Sequence, residues 1–268
     1  MKLKPQTQDD SCEVPAALKA IRLIELMGRE KRPMRLTEIA EKLETNKAMA
    51  LRLLRVFERE GWLRRVGDKG PYRMTLRPLH YVATAIESNE LVSCATPVVK
   101  KIALATNCLV TISVPDEEQS TCVVYTEQSS AVRVSTRVGY QYPYHSSAPG
   151  KALLAYQPQE FIEDIVSRPL NRFTETTITD RDQLLMELAK IRQVGYAIDL
   201  EEGFRGINCL NVPIFDYRDS CIATLGLCTL VSYDTVEDLK RKHLSQLIKA
   251  AGKISDIMGY VGSYPQLC

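Results

Sequence analysis

The sequence predicts an α+β protein: an N-terminal winged helix-turn-helix, joined by a helix to a larger domain in which helices flank a mostly antiparallel sheet. Three observations predict it. Three apolar stripes at helical spacing and then a short hairpin pattern fill the first 75 residues. Beyond Cys108, β-rich runs mix with helical ones and end in a hairpin pair and a long helix. The length, 268 residues, suffices for two separate cores. The expected domains are 1–76 and 93–268, with 77–92 as a linker helix.

The first helix is expected over Pro15–Met27, with Pro15 suited to a helix start and Ala17, Leu18, Ile21 and Ile24 as its stripe. A polar loop, Gly28–Pro33, follows. Leu36, Ile39, Ala40 and Leu43 mark a short second helix, opened by Thr37 and Glu38, whose hydroxyl is expected to cap free amides. Glu44-Thr45-Asn46 is a tight break. The third helix buries Ala50, Leu53, Leu54 and Phe57, and Gly61 stops it as a left-handed residue. Trp62–Val66 and Tyr72–Thr75, joined by Gly67–Gly70, form the wing.

Charge distribution gives this module a partner. Residues 1–75 hold 17 Lys+Arg against 11 Asp+Glu, while the remaining residues hold 18 against 22. A basic first part facing a polyanion fits that asymmetry. On the third helix the burial pattern leaves Lys47, Ala48, Met49, Arg52 and Arg55 outward, where a helix in the major groove meets base edges. Lys47 and Arg52 suit guanine or phosphate, Asn46 suits a cap or adenine, and Ala48 and Met49 suit a thymine methyl. Arg64, Arg65, Lys69 and Arg73 on the wing suit phosphates or a narrow minor groove. Thr37 completes the expected DNA-contact set. One such module makes few base contacts, so a dimer on two half-sites is expected.

Leu76–Ser93 reads as a connecting helix with Pro78 near its start and a hinge around Glu87–Ser93; a further helix runs towards Thr106. Strands are expected at Cys108–Val114, Thr121–Thr126 and Ala131–Thr136, with Pro115–Gln119 as a turn. Helices are expected at Lys151–Tyr156 and Gln159–Val166, and at Arg181–Gln193 behind a Thr179-Asp180 cap. Gly195–Leu200 is extended, Ile207–Phe215 and Cys221–Leu230 are a hairpin pair, and Thr235–Met258 is the final helix.

Composition excludes several classes. Hydrophobic residues at 45% and charged residues at 25% are globular values. No apolar run reaches bilayer length, and Met1–Glu13 is polar, so a cytoplasmic protein without membrane contact is expected. The eight cysteines are scattered without a CxxC pair, consistent with reduced core residues. His80, His145 and His243 lack ligand spacing, so neither metal nor cofactor is expected.

In its motifs the chain resembles the IclR (isocitrate-lyase regulator) family of bacterial transcription factors, from about Pro15 to Tyr260. The resemblance rests on Leu36-Thr37-Glu38-Ile39-Ala40, Asn46-Lys47 through Arg52-Leu53-Leu54, Glu60-Gly61-Trp62-Leu63 and Tyr72-Arg73-Met74. It continues in His145 through Ala155, Ile191 through Ala197, Glu201-Glu202-Gly203 and Gly206 through Asp216. The tail Lys253–Tyr260 is similar to the sugar-acid branch, that of the ketodeoxygluconate regulator. The resemblance implies a GAF-like effector domain, dimers formed through the N-terminal half and often paired into tetramers, and a repressor of a catabolic operon. The implied effector is a small organic acid such as a sugar acid or keto acid. It also implies effector contacts at Ala148, Pro149, Asp199, Cys209, Gly226 and Cys228. Amides of Ala148–Gly150 ahead of a helix near Lys151 suit a carboxylate. Asp199 suits hydroxyls, and strand alternation turns Cys209 and Cys228 inward. Two departures stand out: Ala48-Met49 replaces the family's frequent Ser-Thr, and Pro149 stands where a small or apolar residue is usual.

Ordinary packing competes with ligand contact at both cysteines, and a solvated loop competes at Asp199, Glu201 and Glu202. The alternatives to a regulator are a small-molecule-processing enzyme or a protein-interaction module with a winged-helix appendage. Against an enzyme, Gly150-Lys151-Ala152 lacks the earlier glycine and the hydroxyl of a phosphate loop, and neither GxSxG nor GxGxxG occurs. A Cys209–His145 nucleophile pair is the remaining enzymatic option.

Overall fold

Residues 14–126 and 132–263 are described in the computed structural model of the chain, which divides into two units, 1–85 and 86–268. In the first, α1 (Pro15–Glu30), α2 (Leu36–Lys42) and α3 (Lys47–Arg59) precede a hairpin of β1 (Leu63–Arg65) and β2 (Tyr72–Met74). α2 and α3 bury the expected Ile39, Ala40, Ala50, Leu53 and Leu54. Gly61 follows α3 at φ +74°, a conformation costly for any residue with a Cβ.

Three details of this unit differ from expectation. α1 continues through Gly28 to Glu30 and ends at Lys31, which is left-handed at φ 53°. Its buried side is Leu23 and Met27, leaving Ala17, Leu18 and Ile21 exposed. The helix carries apolar residues on two sides, and only one meets the core of Met34, Ile39, Leu54, Leu63 and Tyr72. Thr37 is not a cap: Arg35 holds the N-cap position of α2 without a side-chain hydrogen bond. The wing also has a third member, since Met34 exchanges backbone hydrogen bonds with Tyr72 at 2.9 and 2.7 Å.

α4 (Arg77–Glu87) ends just before Asn89, whose side chain accepts from Val92 N at 3.2 Å and caps α5 (Glu90–Thr106). The second unit is built on a six-stranded antiparallel sheet. Its strands are β3 (Leu109–Pro115), β4 (Gln119–Thr126), β5 (Gln141–Pro143), β6 (Ala197–Leu200), β7 (Ile207–Phe215) and β8 (Cys221–Leu230), in the order β5-β4-β3-β8-β7-β6. Of the expected strand at Ala131–Thr136, residue 131 lies outside the described residues and 132–136 form no strand. The free edge of β4 is taken instead by the following chain: Gly139 and Tyr140 pair with Cys122, and β5 continues the ladder.

Alternation divides the sheet into two faces. Val110, Ile112, Leu210, Val212, Leu225 and Leu227 meet α5 and the C-terminal helix in the main core. That helix comprises α9 (Val236–Leu239), a π-helical turn over Lys240–Leu244 and α10 (Ser245–Ile257), opened by a Thr235/Asp238 capping box. The opposite face is covered by α6 (Ala148–Leu154), with α7 (Gln159–Ser167) and α8 (Arg181–Val194) outside it. α6 begins at Ala148 rather than Lys151, because the Ser147 hydroxyl caps it by accepting from Gly150 N at 3.1 Å.

Candidate nucleic-acid interface and small-molecule site

The break before α3 is closed by Asn46, whose carboxamide oxygen accepts from Met49 N at 2.8 Å. Asn46 is therefore a helix cap. Lys47, Ala48, Arg52 and Arg55 are exposed and Met49 is half-buried, as the stripe requires. On the wing, Arg64, Lys69 and Arg73 are exposed. Arg65 differs: it is half-buried, donates to Asp68 O at 3.0 Å and lies 5.0 Å over the Tyr72 ring. It holds the wing turn, and its Nε has no partner.

Ion pairing separates the basic residues of this unit into two groups. Arg29, Arg32, Lys42 and Arg59 pair with Glu25, Glu30 and Glu38, Glu30, and Glu60 respectively. Among the described residues, no ion pair involves Lys47, Arg52, Arg55, Arg64, Lys69 or Arg73. Arg64 and Arg73 are moreover direct partners in the hairpin register. Like charges placed opposite each other destabilise a hairpin unless an anion lies against them.

In the second unit, three of the residues marked for an effector share one row of the sheet. Asp199 is opposite Cys209, Cys209 opposite Cys228, and Cys228 opposite Leu109. The next row is Asn211, Gly226 and Thr111, and the one after is Pro213, Thr224 and Ser113. A Cβ on Gly226 would stand 2.1 Å from the Asn211 side chain, so glycine is what lets the carboxamide lie across the strand. Asn211 Nδ2 donates to Thr224 Oγ1 at 3.3 Å.

Ala148 and Pro149 are buried in the first turn of α6. The expected amide cradle is reduced there, because proline has no N–H and the Gly150 N–H donates to the Ser147 hydroxyl. The charge at this end of the helix is Lys151, whose side chain is 1% exposed and pairs with Glu202 at 2.5 Å and Glu187 at 3.6 Å. Asp199 accepts from Glu202 N at 2.6 Å. Burial first, then the neighbouring Glu202, raises its carboxyl to about 7. Burial also raises Glu202, against the pull of Lys151. Asp199 and Glu202 are thus buried rather than in a solvated loop.

Four of the buried polar atoms without a hydrogen-bond partner belong to or adjoin β3, α6, β6 and β7: Ser113 Oγ, Ser146 Oγ, Glu202 Oε2 and Asn211 Oδ1. Unsatisfied groups of this kind cost about 1–3 kcal/mol each when nothing meets them. Sequence reasoning missed all four, and it missed the Lys151–Glu202 pair.

Comparison with known proteins gives the family. The family profile "Bacterial transcriptional regulator IclR C-terminal" matches residues 83–256, and "IclR helix-turn-helix domain" matches residues 16–67. The chain belongs to the IclR family. It is a DNA-binding transcriptional regulator with an effector-type C-terminal domain. A similar curated relative of this IclR-family chain is the HTH-type transcriptional regulator KdgR of Dickeya chrysanthemi, 30% identical over 94% of this chain and 82% of that protein. That supports the sugar-acid branch. An IclR-type regulator from Alicyclobacillus acidocaldarius has a similar structure, with TM-score 0.82, 28% identity, and coverage of 92% of this chain and 100% of that one. An IclR homologue of Microbacterium hydrocarbonoxydans, solved with 4-hydroxybenzoate, shares the fold at TM-score 0.77 and 22% identity, covering 91% and 99%.

In this IclR-family chain each member of the candidate Cys209–His145 pair has another neighbour. His145 Nε2 is 2.9 Å from Asn171 O and the ring lies beside Phe173, while Cys209 lies beside Cys228. Burial holds the His145 imidazole below its ordinary value. Among the described residues no cluster of three metal-ligating side chains occurs, and no helix is long and apolar enough to cross a membrane.

Proposed function

We propose that this regulator represses a catabolic operon and binds its operator as a dimer, or as a dimer of dimers. In this reading 1–76 is the DNA-binding domain, 77–92 the linker and 93–268 the effector domain. Lys47 and Arg52 read bases, Ala48 and Met49 give apolar contact, and Arg55, Arg64, Lys69 and Arg73 meet phosphates, with Thr37 at the edge of the contact. Asn46 and Arg65 act by positioning α3 and the wing. The carrying observation is the unpaired set of cations, above all Arg64 opposite Arg73. Repression, rather than activation, follows the family resemblance.

The effector is a hydroxyl-bearing organic acid. Asn211 Oδ1 and Glu202 Oε2 are acceptors without donors, and the Ser113 and Ser146 hydroxyls are likewise without partners. Ligand hydroxyls satisfy them, which favours a sugar acid over a simple keto acid. Asp199, Cys209, Gly226 and Cys228 form the floor, with Ala148 and Pro149 as a wall. The ligand shifts the regulator between DNA-binding states by its different affinity for them.

Two measurements on the full-length protein test this. In mobility-shift assays with operator fragments, Lys47→Ala with Arg52→Ala abolishes specific retention. Arg73→Ala lowers the log–log salt slope by about 0.9, the value for one lost phosphate contact. Equal retention by wild type and the double variant overturns the assignment of α3 as reader. In a thermal-shift screen of sugar, keto and aromatic acids, a ligand at about 100 times its Kd stabilises by about 2.7 kcal/mol. Asn211→Ala removes that shift. A hit unaffected by Asn211→Ala and Asp199→Ala moves the site elsewhere, and a screen in which no acid shifts melting or alters DNA binding overturns the effector reading.

A further inference from the structure

Cys209 and Cys228 are central in the sheet, and the hydrogen-bonding phase decides how close they stand. Val231 N donates to Gly206 O at 2.9 Å, so 206 and 231 form a hydrogen-bonded pair. The β7–β8 register runs without a shift from Ile207↔Leu230 to Cys209↔Cys228. Antiparallel pairs alternate, which makes 208/229 bonded and 209/228 unbonded. A second ladder agrees. Glu201 N donates to Ile207 O at 3.1 Å, so Asp199 and Cys209 are the bonded pair across β6–β7, and Cys209 faces Cys228 unbonded. Unbonded antiparallel pairs have Cα atoms about 4.5 Å apart with side chains on the same face, inside the range of about 4.4–6.8 Å that a disulfide spans.

The neighbouring cysteines are not equivalent. Cys122 is on β4, separated from β8 by β3, and two strand spacings amount to about 10 Å. Cys108 turns to the other face, into the core with α5. Cys228 is half-buried and Cys209 buried, so Cys228 is the more exposed member of the pair. The Cys209 thiol is held well above its ordinary value, first by its hydrogen bond with Cys228 and then by burial.

We propose that Cys209 and Cys228 form a two-electron redox site, closing a reversible cross-strand disulfide on the floor of the sheet when the protein meets a peroxide. Cys228, the more exposed thiol, attacks the peroxide. Its S–H and the O–O bond break, an S–O bond forms, and Cys228 sulfenic acid and one water result. The Cys209 thiol then attacks the Cys228 sulfur. The S–O bond breaks, the S–S bond forms, and the hydroxyl leaves as a second water with the Cys209 proton. Two thiols and one hydrogen peroxide thus give one disulfide and two waters. A dithiol reductant reverses the bond by exchange. A transient bond of this kind is the form that disulfides take in reducing compartments.

The test uses the reduced full-length protein and hydrogen peroxide, with free thiols alkylated afterwards and peptides mapped by mass spectrometry without reduction. The expected product links the Cys209 and Cys228 peptides, lacks two hydrogen masses and disappears on dithiothreitol treatment. Cys209→Ser leaves Cys228 as a sulfenic acid trapped by dimedone, and Cys228→Ser leaves Cys209 unmodified. A link from Cys228 to Cys122, sulfinic acid at Cys228 without a link in the wild type, or both thiols still alkylatable after Cys94 has oxidised overturns the proposal. None of these readouts depends on operator or effector binding, so their failure is distinguishable from failure of the proposed function.

Discussion

Burial beside Glu202 gives Asp199 a carboxyl that titrates at about 7, against an ordinary 3.8. Between those two values the folded protein holds a proton that the unfolded chain has released. Stability contributed by protonated Asp199 is therefore complete below the unfolded value and is lost as pH rises through about 7, with a slope of up to about 1.4 kcal/mol per pH unit for one proton. Asp199→Asn keeps the acceptor for Glu202 N and removes the titration. In urea unfolding between about pH 5 and about pH 8, the variant should gain on the wild type as pH rises. Glu202 is also raised in the wild type, and as its charge helps to raise Asp199, the difference reports the Asp199–Glu202 pair. A difference constant with pH contradicts the assignment. Asp199 was singled out from the sequence only through the family resemblance. Its buried state was not legible there, because that depends on Thr174 and Thr177 tying the Glu202 carbonyl down from about 25 residues away.

Among the elements, those defined by local rules were the legible ones. β7 and β8 have the expected bounds because their apolar runs flank the turn in which Asp216 accepts from Arg218 N and Ser220 N. α3 likewise follows from its stripe, its Asn46 cap and Gly61. The hidden features are non-local: Met34 joins the wing by a single bridge, β5 displaces the 132–136 strand at a sheet edge, and Lys151 meets Glu202 across 51 positions. Arg65 could not be separated from Arg64 by charge alone, since only the Tyr72 ring and the Asp68 carbonyl distinguish them. The cap makes a test of the local rule. Asn46→Ala leaves Met49 N without its side-chain partner and should cost the first unit about 1 kcal/mol. The chain's single tryptophan, Trp62, is in that unit, packed against Phe57 and stacked on Tyr81, so its fluorescence reports the unit's unfolding. An unchanged denaturation midpoint removes the cap from the account of α3.

For the whole molecule, the expected dimer finds its support in the side of α1 that the core leaves uncovered. Val14, Leu18 and Ile21 are exposed, Ile21 at 58%, and Leu79, Tyr81 and Val82 of α4 are exposed in the same unit. Leu18 and Ile21 have the helical periodicity of the expected stripe, yet neither belongs to the core of the first unit among the described residues. In the proposed dimer a second copy would cover them. In a two-fold interface each residue counts twice, so Ile21 contributes up to about 1.5–3 kcal/mol per copy on burial. Ile21→Asp removes that contribution and sets two carboxylates near the axis. The prediction is a shift from dimer to monomer in sedimentation velocity at micromolar concentration, with an unchanged far-ultraviolet circular dichroism spectrum. Specific operator retention should fall with it, because a lone α3 and wing offer too few base contacts for operator-grade affinity. Arg22, the neighbouring polar position, is exposed on the same helix, and Arg22→Asp serves as the charge control. If Ile21→Asp sediments as the wild type does, or if the wild type is itself a monomer that still grips its operator, the pairing of DNA-binding units through α1 is wrong.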